Sequence, residues 1–290
     1  MANVAIVGVG AIGGVLAGLL ETAQGHEITL CTRRPLAALT VETPDGPIAV
    51  RFQNATDPSQ TQPVDWILCA TKTYDAATAA TWFPALTGSD TKLAVIQNGV
   101  EHRENFAGLF PADRILPVVI DVPAERRSDC DILQRAGAKI RFEDSVVGAD
   151  FATLFANTNA KLDLTDDFLT AAWAKLCINA AGVISALTLK PAGILRDAAL
   201  GEVALGIVAE CVTVGRAEGA RLDDATGERV LAGYRAGSPD SINSLLADRL
   251  ANRQTEIDAR NGVIVRRGTL HGIPTPLNSM AVALFKGMVS

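Results

Sequence analysis

The stretch Asn3-Val4-Ala5-Ile6-Val7-Gly8-Val9-Gly10-Ala11-Ile12-Gly13-Gly14 decides the fold. Its first residues form a short apolar run of strand type, and Ile12 to Ala23 follows as a helical candidate. Between them the glycines have the GxGxxG spacing, directly after a strand and at the mouth of a helix, which is the context a dinucleotide-binding loop requires. Gly8 allows the tight turn, Gly10 lets backbone approach a pyrophosphate, and Gly13 lets the helix pack close to the strand. Unpaired amides at the helix start, around Ala11 and Ile12, favour phosphate together with the helix dipole. The competing reading, a glycine-rich turn in an ordinary α/β protein, lacks a reason for this strand–turn–helix placement.

Outward from this loop, short aliphatic runs recur at Ile28–Cys31, Trp66–Cys69, Leu93–Ile96 and Ile115–Val119. Helical stretches at Asp75–Phe83 and Arg103–Phe110 lie between some of them, so the pattern predicts a doubly wound, Rossmann-type parallel sheet. Leu39 to Phe52, with Pro44-Asp45-Gly46 inside it, reads as a hairpin inserted into that sheet. Asp131–Leu133 and Lys139–Phe142 read as a strand pair around Ala136-Gly137. After about Asp166 strand signals stop. Phe168–Leu189, Leu195–Glu218, Ala225–Ala236, Ser241–Arg267 and Leu277–Met288 predict an all-α second domain, with the boundary at 165/166. A ligand site between two such domains is expected on general grounds.

The end of the second strand bears on the cofactor. NAD binders place a carboxylate there for the ribose hydroxyls. Here the residues are Leu30-Cys31-Thr32-Arg33-Arg34, and Thr32 with the arginines suits a 2′-phosphate, so NADPH/NADP+ is expected. The alternative is that these arginines are a solvated turn.

Composition narrows the function classes. The 290 residues carry a net charge of −6 without a basic stripe, which argues against a nucleic-acid partner. Five cysteines stand singly, without a CxxC pair, and three histidines are equally scattered, so no metal site is expected and the thiols suit a reducing compartment. The apolar first twenty residues hold five glycines and no preceding cation, unlike a signal peptide or a membrane anchor. We therefore expect a cytoplasmic protein, monomer or homodimer, acting on a small molecule.

Two polar groups stand out in the helical half. In Trp173-Ala174-Lys175-Leu176-Cys177-Ile178-Asn179, Lys175 and Asn179 are four apart and share a helix face. A lysine among Leu, Cys and Ile is either a desolvated proton donor or a snorkelling side chain that covers apolar surface, and periodicity does not decide. Glu256 and Arg260 are also four apart, which by itself reads as an exposed ion pair.

Taken together, Gly8-Val9-Gly10-Ala11-Ile12-Gly13-Gly14, Lys72, Gln97-Asn98-Gly99, Trp173-Ala174-Lys175-Leu176 with Asn179, Ser241–Asp248, and Thr255-Glu256-Ile257-Asp258 followed by Asn261-Gly262 resemble the ketopantoate reductase (2-dehydropantoate 2-reductase) family along essentially the whole chain. The resemblance implies an NADP-binding domain over 1–165, a helical substrate and catalytic domain over 166–290, and NADPH-dependent reduction of a 2-oxo acid in pantothenate synthesis. By the same resemblance Lys175 is the general acid and Glu256 the carboxylate that orients it and a substrate hydroxyl. Ser244 would bind the substrate carboxylate and Asn179 a substrate oxygen, while Asn98 lies near the nicotinamide and the reacting centre. Lys72 and Arg33 would contact the cofactor.

Two residues depart from the family pattern. Val183 stands where a further polar residue is frequent, which removes one substrate hydrogen bond, and Asp75 puts a carboxylate near the adenine end of the cofactor. Val183 leaves open a paralogous reductase of another 2-oxo acid or an imine. A non-catalytic NADP-sensing protein is a further alternative.

Overall fold

The computed structural model describes residues 1–289. The chain divides into two compact units, Met1–Gln97 with Glu101–Phe168, and Asn98–Val100 with the chain from Leu169 on. The division falls at 168/169 and not at 165/166, because the last segment before it is an edge strand and Phe168 packs edge-on against His102, ring centroids 5.6 Å apart.

The strands of the first unit are β1 (Asn3–Val7), β2 (Glu27–Cys31), β3 (Thr40–Thr43), β4 (Gly46–Ala49), β5 (Gln53–Ala55), β6 (Val64–Cys69), β7 (Thr87–Val95), β8 (Ile115–Asp121), β9 (Ala124–Arg126), β10 (Asp131–Gln134), β11 (Lys139–Glu143) and β12 (Lys161–Thr165). Eight form one sheet in the order β12-β11-β8-β7-β6-β1-β2-β5, parallel throughout except where β11 runs against β8. Both faces are covered, which explains the unbroken apolar text of the central strands. Val4 and Ile6 enter one core with Leu30, Trp66 and Leu68, while Ala5 and Val7 enter the other with Ile67, Cys69 and Val95.

The helices of this unit are α1 (Ala11–Ala23), α2 (Ala76–Ala80), α3 (Phe83–Leu86) and α4 (Val146–Thr153). Several details correct the sequence reading. Asp75–Phe83 is not one helix, since Pro84 in the first turn of α3 cannot donate to the preceding turn. Arg103–Phe110 contains only the 3-10 turn Glu104–Phe106, which ends where Ala107 leaves helical geometry at ψ 129°, just before Gly108 at φ +75°. The hairpin β3–β4 does not enter the large sheet. It forms a second sheet, order β4-β3-β10-β9, which buries Val41 and Ile132 in the same core as Val15, Leu16, Leu19 and Leu20 of α1. The strands flanking Ala136-Gly137 are therefore not a pair: β10 belongs to the small sheet and β11 to the large one.

The second unit holds α5 (Phe168–Ala181) from Leu169 on, α6 (Val183–Thr188), α7 (Ala198–Ala217), α8 (Thr226–Ala236), α9 (Ser244–Leu250), α10 (Val263–Leu270) and α11 (Pro276–Val289). Trp173, Leu176 and Cys177 of α5 pack with Ile207, Val208, Cys211 and Val214 of α7 in its core. Phe168–Thr188 and Ala198–Ala217 are long and apolar enough to cross a bilayer, but these core contacts account for their apolar faces. Ser241–Arg267 is not continuous. Asn243 caps α9, Asn252 at φ +50° ends it, and a single π turn over Asp258–Gly262, with the Gly262 amide donating to the Ile257 carbonyl at 3.0 Å, precedes α10. Such turns change which side chains face inward and recur at functional sites.

Candidate active site

In the first unit the glycine loop has the geometry of a phosphate cradle. Gly8 sits at φ +96°, and a Cβ there would lie 2.7 Å from the Thr71 backbone nitrogen. A Cβ at Gly13 would lie 2.1 Å from the Gly8 carbonyl oxygen, so only glycine lets α1 start against the end of β1. At Gly10 a Cβ would meet nothing within 4 Å. Gly10 also caps α1 without a side chain, and the first turn holds no acidic residue. Open space over Gly10 beside the amides of Ala11 and Ile12 fits the pyrophosphate of a dinucleotide.

Beyond β2, Asn54 organises the turn. Its amide donates to the Leu30 carbonyl at 2.9 Å and to Thr32 Oγ1 at 2.7 Å, and its oxygen accepts from the Leu36 amide at 2.7 Å. Thr32 in turn donates to the Arg34 carbonyl at 2.7 Å. Arg33 is exposed and its guanidinium lies 2.6 Å from Asp75 Oδ1. Lys72, half-buried, accepts the Asp75 amide on its carbonyl at 2.9 Å, so its backbone forms one turn with the residue that pairs Arg33. The pairing of Arg33 with Asp75 was not readable from two residues 42 positions apart in sequence.

The second unit gathers most of the remaining residues. Gly99, at φ +95°, allows the Asn98–Val100 segment to approach Ala259, whose carbonyl oxygen would lie 2.7 Å from a Cβ at Gly99. Asn98 is thereby placed to donate to Glu256 Oε2 at 2.9 Å, and its own oxygen accepts from the Asn179 amide at 3.5 Å. Glu256 is 4% exposed, so the exposed ion pair with Arg260 that the spacing suggests is wrong on burial. Arg260 is also buried, and donates to the Asn179 carbonyl.

Lys175, one helical turn before Asn179, is half-buried. Burial pushes its amine down to about 8, and the Arg260 cation adds to the effect. An amine so tuned is protonated at neutral pH yet gives up its proton readily. Ser244 opens α9 and is exposed. Asn243 before it donates to the Gly182 carbonyl at 2.9 Å, which holds this end of α9 against the junction of α5 and α6. Val183 is fully buried in the apolar core, so position 183 offers no polar group. Sequence reasoning missed Arg260, Tyr234 and Asn243, because the π turn that buries Arg260 leaves no mark in hydrophobic periodicity.

Residues 4–146 match the family model described as ketopantoate reductase PanE/ApbA, and residues 167–289 match its C-terminal counterpart. The chain belongs to the ketopantoate reductase family. It is 50% identical to the 2-dehydropantoate 2-reductase of Caulobacter vibrioides, over 98% of each chain. It is 36% identical to that of Mycobacterium tuberculosis, over 97% of this chain and 96% of the relative. A crystal structure of a PanE/ApbA family ketopantoate reductase from Ralstonia eutropha superposes with a TM-score of 0.91 at 31% identity, covering 99% of this chain and 98% of that one. As a member of this family the chain is an oxidoreductase, which removes the cofactor-sensing alternative.

Proposed function

We propose that this chain is an NADPH-dependent 2-dehydropantoate 2-reductase that reduces ketopantoate to pantoate in the cytoplasm, as a step of pantothenate and coenzyme A synthesis. The observation that carries the mechanism is the half-buried Lys175 one turn before Asn179 on α5, where Asn179 begins the Asn179–Asn98–Glu256 hydrogen-bond chain, and burial lowers the Lys175 amine to about 8. The name of the 50% identical relative supports the substrate.

In this reading the first unit binds the dinucleotide through Gly8, Gly10, Ala11, Ile12 and Gly13, with Thr32, Arg33 and Lys72 toward the 2′-phosphate. Bound NADPH supplies the hydride that enters the 2-oxo carbon. Lys175 gives its proton to the carbonyl oxygen, where negative charge develops, so the product hydroxyl and a neutral amine result. Glu256, fixed by Asn98, orients the amine and a substrate hydroxyl. Asn179 donates to a substrate oxygen, and Ser244 takes the substrate carboxylate. The test is kcat/KM of the purified protein for ketopantoate against a panel of 2-oxo acids, with NADPH and NADH in parallel. The reading expects ketopantoate and NADPH to lead, and fails if another pair leads by tenfold or so.

A second reading, an NADPH-dependent reductase of another 2-oxo acid or an imine, is favoured by one observation. Val183 turns an apolar side chain into the core at a position where, by the family resemblance, a polar residue is frequent. The same panel separates the two, since a missing hydrogen bond shifts selectivity by about 1–3 kcal/mol.

A further inference from the structure

The C-terminal turn of α5 is held in an unusual way. Its last carbonyls are taken one after another by side chains of other elements. Tyr234 of α8 donates to Ile178 at 2.9 Å, Arg260 of the π turn to Asn179, Asn261 of the π turn to Ala180 at 3.2 Å, and Asn243 before α9 to Gly182 at 2.9 Å. Three of these groups converge on one point: a Cβ at Gly182 would lie 2.8 Å from the Tyr234 hydroxyl and 3.0 Å from both Arg260 Nη2 and Asn243 Nδ2. Carbonyls at a helix C-terminus favour a cation, and here the cation is buried.

A buried guanidinium is expensive unless it is paired. Arg260 is 1% exposed, its Nε has no hydrogen-bond partner, and burial pulls its ionisation down against the opposing pull of Tyr234, Glu256 and Asp248. Asp248 of α9 is itself partnered by Arg253 at 3.0 Å. An apolar side chain would fill this position at less cost, so the charge calls for a role other than packing.

We propose that Arg260 is a positioning residue for the reaction: it clamps the Asn179 carbonyl, thereby fixing the α5 turn that carries Lys175 and Asn179, and keeps a positive charge near the Lys175 amine. This rests on the reading of Lys175 as proton donor only for its kinetic consequence. The charged or titratable groups that surround the guanidinium are Lys175 from α5, Tyr234 from α8, Asp248 from α9 and Glu256 from the segment before the π turn. Lys175 is the one like charge among them, so the guanidinium makes its ammonium a stronger acid. Desolvation is the larger influence on Lys175 and persists without Arg260, so removal of the guanidinium should restore only part of the ordinary basicity.

The test reads Lys175 directly. Residue-level labelling of lysines with acetic anhydride across pH, quantified by peptide mass spectrometry on the cofactor-free full chain, follows the free-amine fraction without reference to turnover. In Arg260→Met the Lys175 amine should be about three- to tenfold less reactive at pH 8, with its midpoint moved to higher pH, whereas Arg260→Lys should stay near wild type. Other lysines serve as internal controls. Should Arg260→Met fail to fold, Arg260→Gln carries the test, because it removes the charge and keeps an amide donor for the Asn179 carbonyl. The midpoint should then move in the same direction. A folded Arg260→Met, or failing that a folded Arg260→Gln, with an unmoved midpoint overturns the proposal. If the labelling midpoint moves while the alkaline limb of kcat does not, the guanidinium still tunes the Lys175 amine, but the reading of Lys175 as proton donor fails and with it the kinetic consequence of Arg260.

Discussion

Gly10 and Gly13 are three residues apart in one loop, yet the structure assigns them opposite reasons for being glycine. At Gly13 an added methyl would sit 2.1 Å from the Gly8 carbonyl oxygen, where ordinary contact is roughly 3.5 Å, so α1 or the end of β1 must move by about 1.4 Å. Overpacking of this kind costs about 1–3 kcal/mol, and Gly13→Ala should lose at least that much in urea unfolding whether or not cofactor is present. Gly10 has φ −88° and ψ −159°, which alanine adopts without strain, and its methyl would touch nothing in the protein. Gly10→Ala should therefore keep wild-type stability within about 0.5 kcal/mol while weakening NADPH at least about tenfold, because the methyl enters the space assigned to the pyrophosphate. Fluorescence titration with NADPH alongside urea unfolding measures both quantities. A Gly10→Ala protein that binds NADPH within twofold of wild type would refute the cradle.

Other expectations follow from the same geometry. Asp75→Asn releases Arg33 from its ion pair, and should raise the preference for NADPH over NADH by about three- to tenfold in Kd ratio; an unchanged ratio places the 2′-phosphate elsewhere. Because a proton donor must carry its proton, reduction should be flat below the Lys175 midpoint of about 8 and fall roughly tenfold per pH unit above it, with alcohol oxidation rising through the same range. A reduction profile that rises above pH 8 would contradict the assignment. In the second unit Glu210 accepts the Leu277 amide at 2.8 Å, the Asn278 amide at 2.9 Å and the Asn278 side-chain amide at 2.7 Å, capping α11 from α7. Glu210→Ala should cost about 2 kcal/mol in urea unfolding, and a neutral effect would show that solvent replaces the cap.

The parts of the fold carried by local chemistry were legible in the sequence. Val4–Val7, the glycine turn and Ile12–Ala23 announce strand, loop and helix by residue type alone, and the Ala- and Leu-rich text after Asp166 announces helices. Pairings made at long range were not. Nothing local says that β10 leaves the large sheet to join β3, since either partner would bury Ile132. At the site, Lys175 and Asn179 were visible as polar positions on one helix face. The link from Asn179 through Asn98 to Glu256 spans 81 and 158 positions and depends on the close approach that Gly99 allows. Arg260 was misread for a definite reason: i,i+4 spacing assumes an unbroken α-helix, and the bond from Gly262 to Ile257 replaces that turn with a wider one.

The most direct test of the account is the single-turnover rate of NADPH oxidation by Lys175→Ala with saturating ketopantoate at pH 7, measured beside the dissociation constant for NADPH. Lys175→Ala should turn over at least about 100-fold more slowly than wild type, with NADPH affinity within about twofold. A rate close to wild type would show that the proton comes from another group.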